Sequence, residues 1–196
     1  GLYAYNYINN QCDLCSPLLK SKNIIAYQCN SDYQVVATDR EVFLFDYNWN
    51  FIHKITIYKE SLNNHITSMV IYGNQEALLG TESGLVIIHI ENDGKTKSNT
   101  LYSGDKIVQL FIDSRNKLWI CRGEEILYSN IDTLDSVGIS GFKHIAYNHE
   151  VISFFEYANQ VWVGTRGYGI SIYEYDHSGK AVLKNKLLID KSGDSE

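Results

Sequence analysis

The sequence predicts an all-β protein built as a β-propeller of four-stranded antiparallel blades, about four of them plus partial blades. Three observations carry this. Four segments, residues 33–44, 76–87, 117–127 and 159–170, share one internal order: an apolar pair, a small or polar turn, then a second apolar run. Aligning Val36, Leu79, Ile120 and Val163 gives successive spacings of 43, 41 and 43 residues, the length of one propeller blade. Short apolar runs are punctuated by Asn, Asp, Ser and Gly, as tight hairpins require, and no segment of ten or more residues has helical periodicity.

Taken in order, Gly1-Leu2-Tyr3 matches the later openings Gly84-Leu85-Val86 and Gly169-Ile170-Ser171. Residues 1–23 are therefore expected to form a partial blade that opens at a third strand. The first full blade, 24–62, runs through Ile24–Tyr27, Gln34–Thr38, Val42–Asp46 and Ile52–Tyr58. The second, 63–104, runs through Ile66–Ile71, Ala77–Thr81 and Leu85–Ile90. The third, 105–148, has Ile107–Asp113, Leu118–Cys121 and Ile126–Tyr128; the fourth, 149–190, has Val151–Phe155, Val161–Thr165 and Ile170–Asp176. The first two strands of each unit read as continuous apolar runs, so they are expected to be buried on both faces. The third alternates, as at Ile170 and Ile172, and is expected nearer solvent. Residues 187–193 read either as the outer strand of the fourth blade or as the inner strand of a new one, and their closeness to Tyr173 favours the former. The whole is expected to be a piece of a larger propeller, hiding its open edges by self-association or by pairing its terminal strands.

The bulk properties narrow the partners. The chain has 196 residues, a formal charge of −6 and 44% hydrophobic residues, enough for a real core. No apolar run approaches membrane-spanning length, so no direct membrane contact is expected of this segment. The acidic balance argues against a nucleic-acid partner and suits a neutral small-molecule ligand. Gly1 is not a natural start, which leaves room for an upstream export segment. The 15 tyrosines suit half-buried strands, and also the rims of carbohydrate or peptide sites. Cys12 and Cys15 form a lone C-x-x-C without a second pair, and Cys29 and Cys121 stand apart. That spacing favours unrelated thiols over a local disulfide or a metal site. Cys121 occupies the repeat position of Gly80 and Gly164, where a small buried side chain is expected.

Trp119 and Trp162 recur at one strand position and are expected in the core, whereas Trp49, between Asn48 and Asn50, is the better candidate for an exposed ring. None of the six histidines has metal-ligand spacing, and no nucleophile elbow or phosphate loop is present. No catalytic residue, metal or cofactor is expected. Strands alternate direction in a blade, so the loop leading into the first strand and the turn leaving the second meet on one rim. That rim collects the candidate ligand-binding residues Arg40, His65, Arg122, His149, Arg166 and Tyr168. Solvated loop charge is the bland alternative for each.

The motifs Leu118-Trp119-Ile120 and Val161-Trp162-Val163-Gly164-Thr165, with Gly169-Ile170-Ser171-Ile172-Tyr173 following, resemble the two-component regulator propeller repeat. That repeat reads approximately D-x-x-G-x-L-W-I-G-T-x-x-G-G-L-x-x-Y-D. The likeness is good in units three and four, moderate in unit two, and reduced to Val36-Ala37-Thr38 and Phe45-Asp46 in unit one. Cys121-Arg122 replaces Gly-Thr in unit three. The resemblance implies the periplasmic sensor region of a Bacteroides-type hybrid histidine kinase, responding to oligosaccharides. A propeller enzyme, such as a lyase or glycosidase, and a protein-interaction propeller are the alternatives, because blade motifs shape a scaffold without naming its ligand.

Overall fold

The computed structural model describes residues 1–57, 65–91, 95–134, 138–147 and 149–188. Tyr58 and residues 189–193, placed above in strands, lie outside the described residues, as do Asn63, Asn64 and Asn148 of the loops expected to lead into first strands. Strands β1 (Tyr3–Asn6) and β2 (Gln11–Leu14) pair as an antiparallel ribbon. Four four-stranded antiparallel sheets follow. The first holds β3 (Ile24–Cys29), β4 (Gln34–Thr38), β5 (Glu41–Phe45) and β6 (Phe51–Thr56). The second holds β7 (Ile66–Tyr72), β8 (Glu76–Thr81), β9 (Gly84–Ile90) and β10 (Thr96–Ser103). The third holds β11 (Gln109–Ile112), β12 (Lys117–Arg122), β13 (Glu125–Asn130) and β14 (Lys143–Ala146). The fourth holds β15 (Val151–Tyr157), β16 (Gln160–Thr165), β17 (Gly169–Tyr175) and β18 (Ala181–Leu187). Each sheet is a simple meander in chain order. The four aligned residues Val36, Leu79, Ile120 and Val163 all sit on the second strand of their sheets, each 0% exposed.

Local chemistry sets the turns. In the first hairpins, Asn30 Oδ1 accepts the backbone N–H groups of Asp32 and Tyr33 at 2.9 and 2.8 Å. Asp113 Oδ1 likewise accepts those of Arg115 and Lys117, both at 3.0 Å. These side chains replace strand partners where the ladder ends. In the second hairpins a buried threonine bridges the turn. Thr38 Oγ1 donates to Glu41 O, Thr81 Oγ1 to Gly84 O and Thr165 Oγ1 to Gly169 O, at 3.1, 2.9 and 2.8 Å.

The chain divides into two compact units, Gly1–Gly104 and Asp105–Glu196. In the first, Val35, Ala37, Val42 and Leu44 of one sheet pack against Ile66, Met69, Ala77, Leu79 and Ile88 of the next. In the second, Trp119, Cys121, Ile126 and Tyr128 pack against Val151, Val161, Val163 and Tyr173. Side chains alternate across a strand, so β4 turns Val35 and Ala37 towards the following sheet of its unit, and β16 turns Val161 and Val163 towards the preceding sheet of its own. Trp119 is 0% exposed. Its ring stacks on Tyr128 at 5.0 Å, and its indole N–H donates to Asp113 Oδ2 and Tyr175 Oη at 2.9 and 3.0 Å.

Four expectations are corrected, those for the third strands, the first strands, Trp162 and Trp49. The third strands are not the solvent-side strands: β5, β9 and β13 are mostly buried, and in β17 Ser171, Ile172 and Tyr173 are all buried. The first strands β3 and β15 are the partly exposed ones. The second and third strands each have a strand on both edges, and the side of β17 that carries Ser171 and Tyr173 faces the preceding sheet, so polar residues in the alternating run still go inside. Trp162 is half-buried rather than a core residue. Trp49 is also half-buried: it packs on Phe45 at 5.4 Å and stacks with Tyr27 at 5.8 Å, instead of offering a free ring. The outer strand of the fourth sheet is β18, which takes in Leu187 of the 187–193 segment.

Candidate functional site

The loops that lead into first strands meet the second hairpins through backbone hydrogen bonds. In the first unit Ile66 N–H donates to Asp39 O at 2.7 Å, which brings His65 beside the turn carrying Arg40. Arg40 Nη2 lies 3.4 Å from His65 Nε2, and the Asp39 carboxylate is 4.0 Å from both Arg40 Nε and His65 Nδ1. In the second unit Arg166 N–H donates to Glu150 O at 3.0 Å. Above that bond, Arg166 Nε and Nη2 donate to Glu150 Oε2 and Oε1 at 2.7 and 3.3 Å. The fork-to-carboxylate geometry fixes the guanidinium plane. Beside it the His149 and Tyr168 rings stack, with centroids 3.6 Å apart and planes 7° from parallel.

Arg122 stands where the other sheets have threonine, and it crosses the hairpin by a longer route. Its Nε and Nη2 donate to Glu125 Oε2 at 3.1 and 2.5 Å, and Nη1 lies 3.7 Å from the Asp105 carboxylate. Glu125 Oε1 also meets His144 Nδ1. Partial burial would raise the Glu125 carboxyl, but the hydrogen bonds from His144 and Arg122 outweigh it and hold the group below its ordinary value. Arg122 and Glu125 line a 370 Å³ groove with Asp105 and Lys106. A 460 Å³ groove in the same unit has His149 among its lining residues, with His144, Tyr147, Lys180 and Lys186.

The structure thus joins Arg40 with His65, and His149 with Tyr168, while Arg122 and Arg166 are each tied to a carboxylate. Glu125, Glu150 and His144 belong to these clusters, and the sequence reading did not select them as site residues. Glu150 was within reach, since it directly follows His149 in the same loop. A larger groove of 810 Å³ in the first unit was also missed. It lies on the opposite rim, among Tyr33, Tyr72, Asn74, Glu76 and His89, with His89 Nδ1 at 3.0 Å from Glu76 Oε1. Its sequence signal was the pair Tyr33 and Tyr72, each beside the first hairpin of its sheet.

Among the described residues, no group of three or more His, Cys, Asp and Glu side chains is arranged to hold a metal ion. The four cysteines are free; Cys12 and Cys29 are exposed and Cys121 is buried. Burial, and then the nearby Glu150 charge, push the Cys121 thiol up to about 12, so it stays protonated. It donates to Val151 O at 3.4 Å.

No protein-family model matches the chain, and no curated protein sequence matches it. Solved structures do. Virginiamycin B lyase from Staphylococcus aureus superposes with a TM-score of 0.62 at 13% identity, covering 93% of this chain and 61% of that one. BBS1N, crystallised in complex with ARL6DN, gives 0.59 at 16% identity, covering 85% and 53%. The N-terminal domain of Nup159 gives 0.58 at 16% identity, covering 86% and 44%. The chain therefore spans about half the length of these relatives in fold. Identities this low speak to architecture alone. With its repeated four-stranded meanders, the chain has a β-propeller fold.

Proposed function

We propose that this chain is a ligand-sensing propeller segment of a two-component sensor histidine kinase, that it lies on the periplasmic side, and that it responds to glycan fragments without chemistry of its own. The reading rests on the resemblance of Leu118-Trp119-Ile120 and Val161–Thr165 to the regulator propeller repeat. At the level of the site, one observation carries it: the Tyr168–His149 ring stack beside the Arg166–Glu150 pair. Tyr168 is 50% exposed and the Arg166 side chain 72% exposed. A tyrosine face held rigid by a second ring suits the apolar face of a pyranose. An oriented guanidinium and its carboxylate can then hydrogen-bond to ring hydroxyls or to a uronic carboxylate. The experiment is saturation-transfer NMR of the chain against a panel of neutral and acidic oligosaccharides, repeated with Tyr168→Ala and Arg166→Ala. Both variants are expected to lose signal. A signal that persists in both, with the fold intact, removes this rim from the reading.

A further inference from the structure

The outer strands of the third and fourth sheets, β14 and β18, flank the 460 Å³ groove inside the second unit. Register decides what β18 turns towards it. Ala181 and Leu183 pair with Tyr175 and Tyr173, a bulge follows, and Lys186 then pairs with Ser171. Tyr173 packs against the third sheet and Ser171 shares its side, so Lys186 is turned the same way. Lys184, at the bulge, is instead held by Glu174 on the other side. The chain carries 23 acidic residues, yet no described Asp or Glu lines this groove, whose ionisable side chains are those of His144, Tyr147, His149, Tyr173, Lys180 and Lys186. Lys180 stands at the far end, beside Asp176. Lys186 meets no carboxylate among the described residues.

The first unit shows what packing requires at this place. Tyr147 N–H donates to Glu124 O as Ile57 N–H donates to Arg40 O, so Tyr147 matches Ile57. Counted from Gly169 and Gly84, Tyr173 matches Ile88. Ile88 is buried, Ile57 packs on the same core, and the equivalent space beside Ile55, Ile88 and Thr96 is a cavity of only 10 Å³. The scaffold therefore needs no hydroxyl here, and the second unit places two. Burial, and then Tyr147, hold the Tyr173 hydroxyl well above the usual tyrosine range, so it keeps its proton. Tyr147 Oη is buried and has no hydrogen-bond partner among the described residues. If Tyr147 donates to its neighbour, the Tyr173 proton is left over and takes its acceptor from the groove.

We propose that the Lys186 end of this groove binds a tetrahedral oxyanion, the phosphate or sulfate group of a small ligand. Lys186 supplies the counter-charge, and Tyr173, backed by Tyr147, supplies a neutral donor. His149 lines the groove at the same end, because Val151, Thr165 and Gly169 lie across the sheet from one another and Leu187 pairs with Ile170 beside them. Donors that converge from separate strands suit oxygens pointing to the corners of a tetrahedron. A planar carboxylate is matched by an arginine fork, and no arginine lines this groove. The site does not rest on the glycan reading, and the probes that test it contain no sugar.

Amide NMR titrations of the chain with inorganic phosphate, sulfate and acetate, at constant ionic strength, test this. Phosphate or sulfate is expected to give saturable shifts at His149, Tyr173 and Lys186, and the tighter of the two names the ester that the site takes. Acetate is expected to bind about ten-fold more weakly or not at all. Lys186→Ala is expected to weaken the oxyanion about ten-fold, and Tyr147→Phe, which keeps the ring, about three-fold. Lys184→Ala makes the same charge change on the same strand, on the side away from the groove, and is expected to leave the affinity unchanged. The absence of saturable shifts with both oxyanions would overturn the proposal. So would acetate binding as tightly as they do, or an equal loss in Lys184→Ala and Lys186→Ala, which would mark unspecific attraction to the basic strand.

Discussion

Trp119 gathers much of the second unit's order around one side chain. Its ring touches Tyr128, Phe154, Tyr173 and Tyr175, and its indole N–H is shared between Asp113 and Tyr175. Trp119→Ala is expected to cost about 3–5 kcal/mol in urea unfolding, as for other large-to-small core changes. Trp162→Ala removes a half-buried ring from the same repeat position and is expected to cost less, about 1–3 kcal/mol. Equal losses would mean that the two faces are equally packed. Asp113 is 4% exposed, accepts from two backbone N–H groups, and also meets the Tyr175 hydroxyl. Burial, and then the hydrogen bond to Asp113, push that hydroxyl well above the usual tyrosine range, so it remains a donor. Removing one member leaves the others unsatisfied. A double-mutant cycle of Asp113→Ala with Tyr175→Phe is therefore expected to be non-additive by about 0.5–3 kcal/mol. Additivity would show that the two side chains act independently.

At the level of the strand, the openings of the third strands set how the outer strands attach. Gly84 and Gly169 begin β9 and β17 with φ of +129° and +88°. A Cβ there would run into the carbonyls of Tyr102 and Leu187 on the neighbouring outer strands. Gly169→Ala is expected to destabilise by about 1–3 kcal/mol and to accelerate amide exchange along β18 ahead of β16. Unchanged exchange at β18 would show that the strand pairs without help from this glycine. In the other two sheets the same position holds Glu41 and Glu125, each bound to basic partners. This scale also marks how far the sequence could be read. The period located every second strand, because Val36, Leu79, Ile120 and Val163 must each be inside for a sheet to pack between neighbours. The burial of the third strands was not legible. Ser171 and Tyr173 look polar in a one-dimensional pattern, and only the neighbouring sheet shows that their side is closed. The clusters at Arg40–His65 and His149–Tyr168 could be anticipated as residues sharing a rim, since strand alternation dictates it. Glu150 could have been selected with them, since it follows His149 in the same loop, whereas Glu125, the partner of Arg122 and His144, could not, because side-chain pairing across a hairpin depends on rotamers that composition does not record.

Across the whole molecule, carboxylates with basic or amide partners recur in both units, and their sign decides how stability follows pH. Lys22 and then Lys54 hold Glu41 below its ordinary value of 4.5, through hydrogen bonds of 2.5 and 2.8 Å. Asn50 lowers Asp46, Lys184 with Gln160 lowers Glu174, and Ser178 with Lys180 N–H lowers Asp176. Glu125 is lowered by His144 and Arg122 against its partial burial. A carboxyl whose pKa is depressed on folding contributes stability at every pH above its unfolded value. That contribution is lost as pH falls through the folded value, because the unfolded chain then binds more protons. The window therefore lies below the ordinary values of 3.8 for Asp and 4.5 for Glu. Urea midpoints are expected to change little with these groups from neutral pH down to about pH 5, and to fall below about pH 4. Glu41→Gln keeps the shape of the side chain and removes its titration, so it should shallow the acid fall while lowering the neutral midpoint. Asp46, Glu174 and Asp176 are solvent-facing, and salt should weaken their share. The part of the acid fall that survives high salt should then follow Glu41 and Glu125, whose side chains are 16% and 29% exposed. An acid profile left unchanged by Glu41→Gln, or one abolished by salt, would show that the depressed carboxylates do not govern the pH dependence.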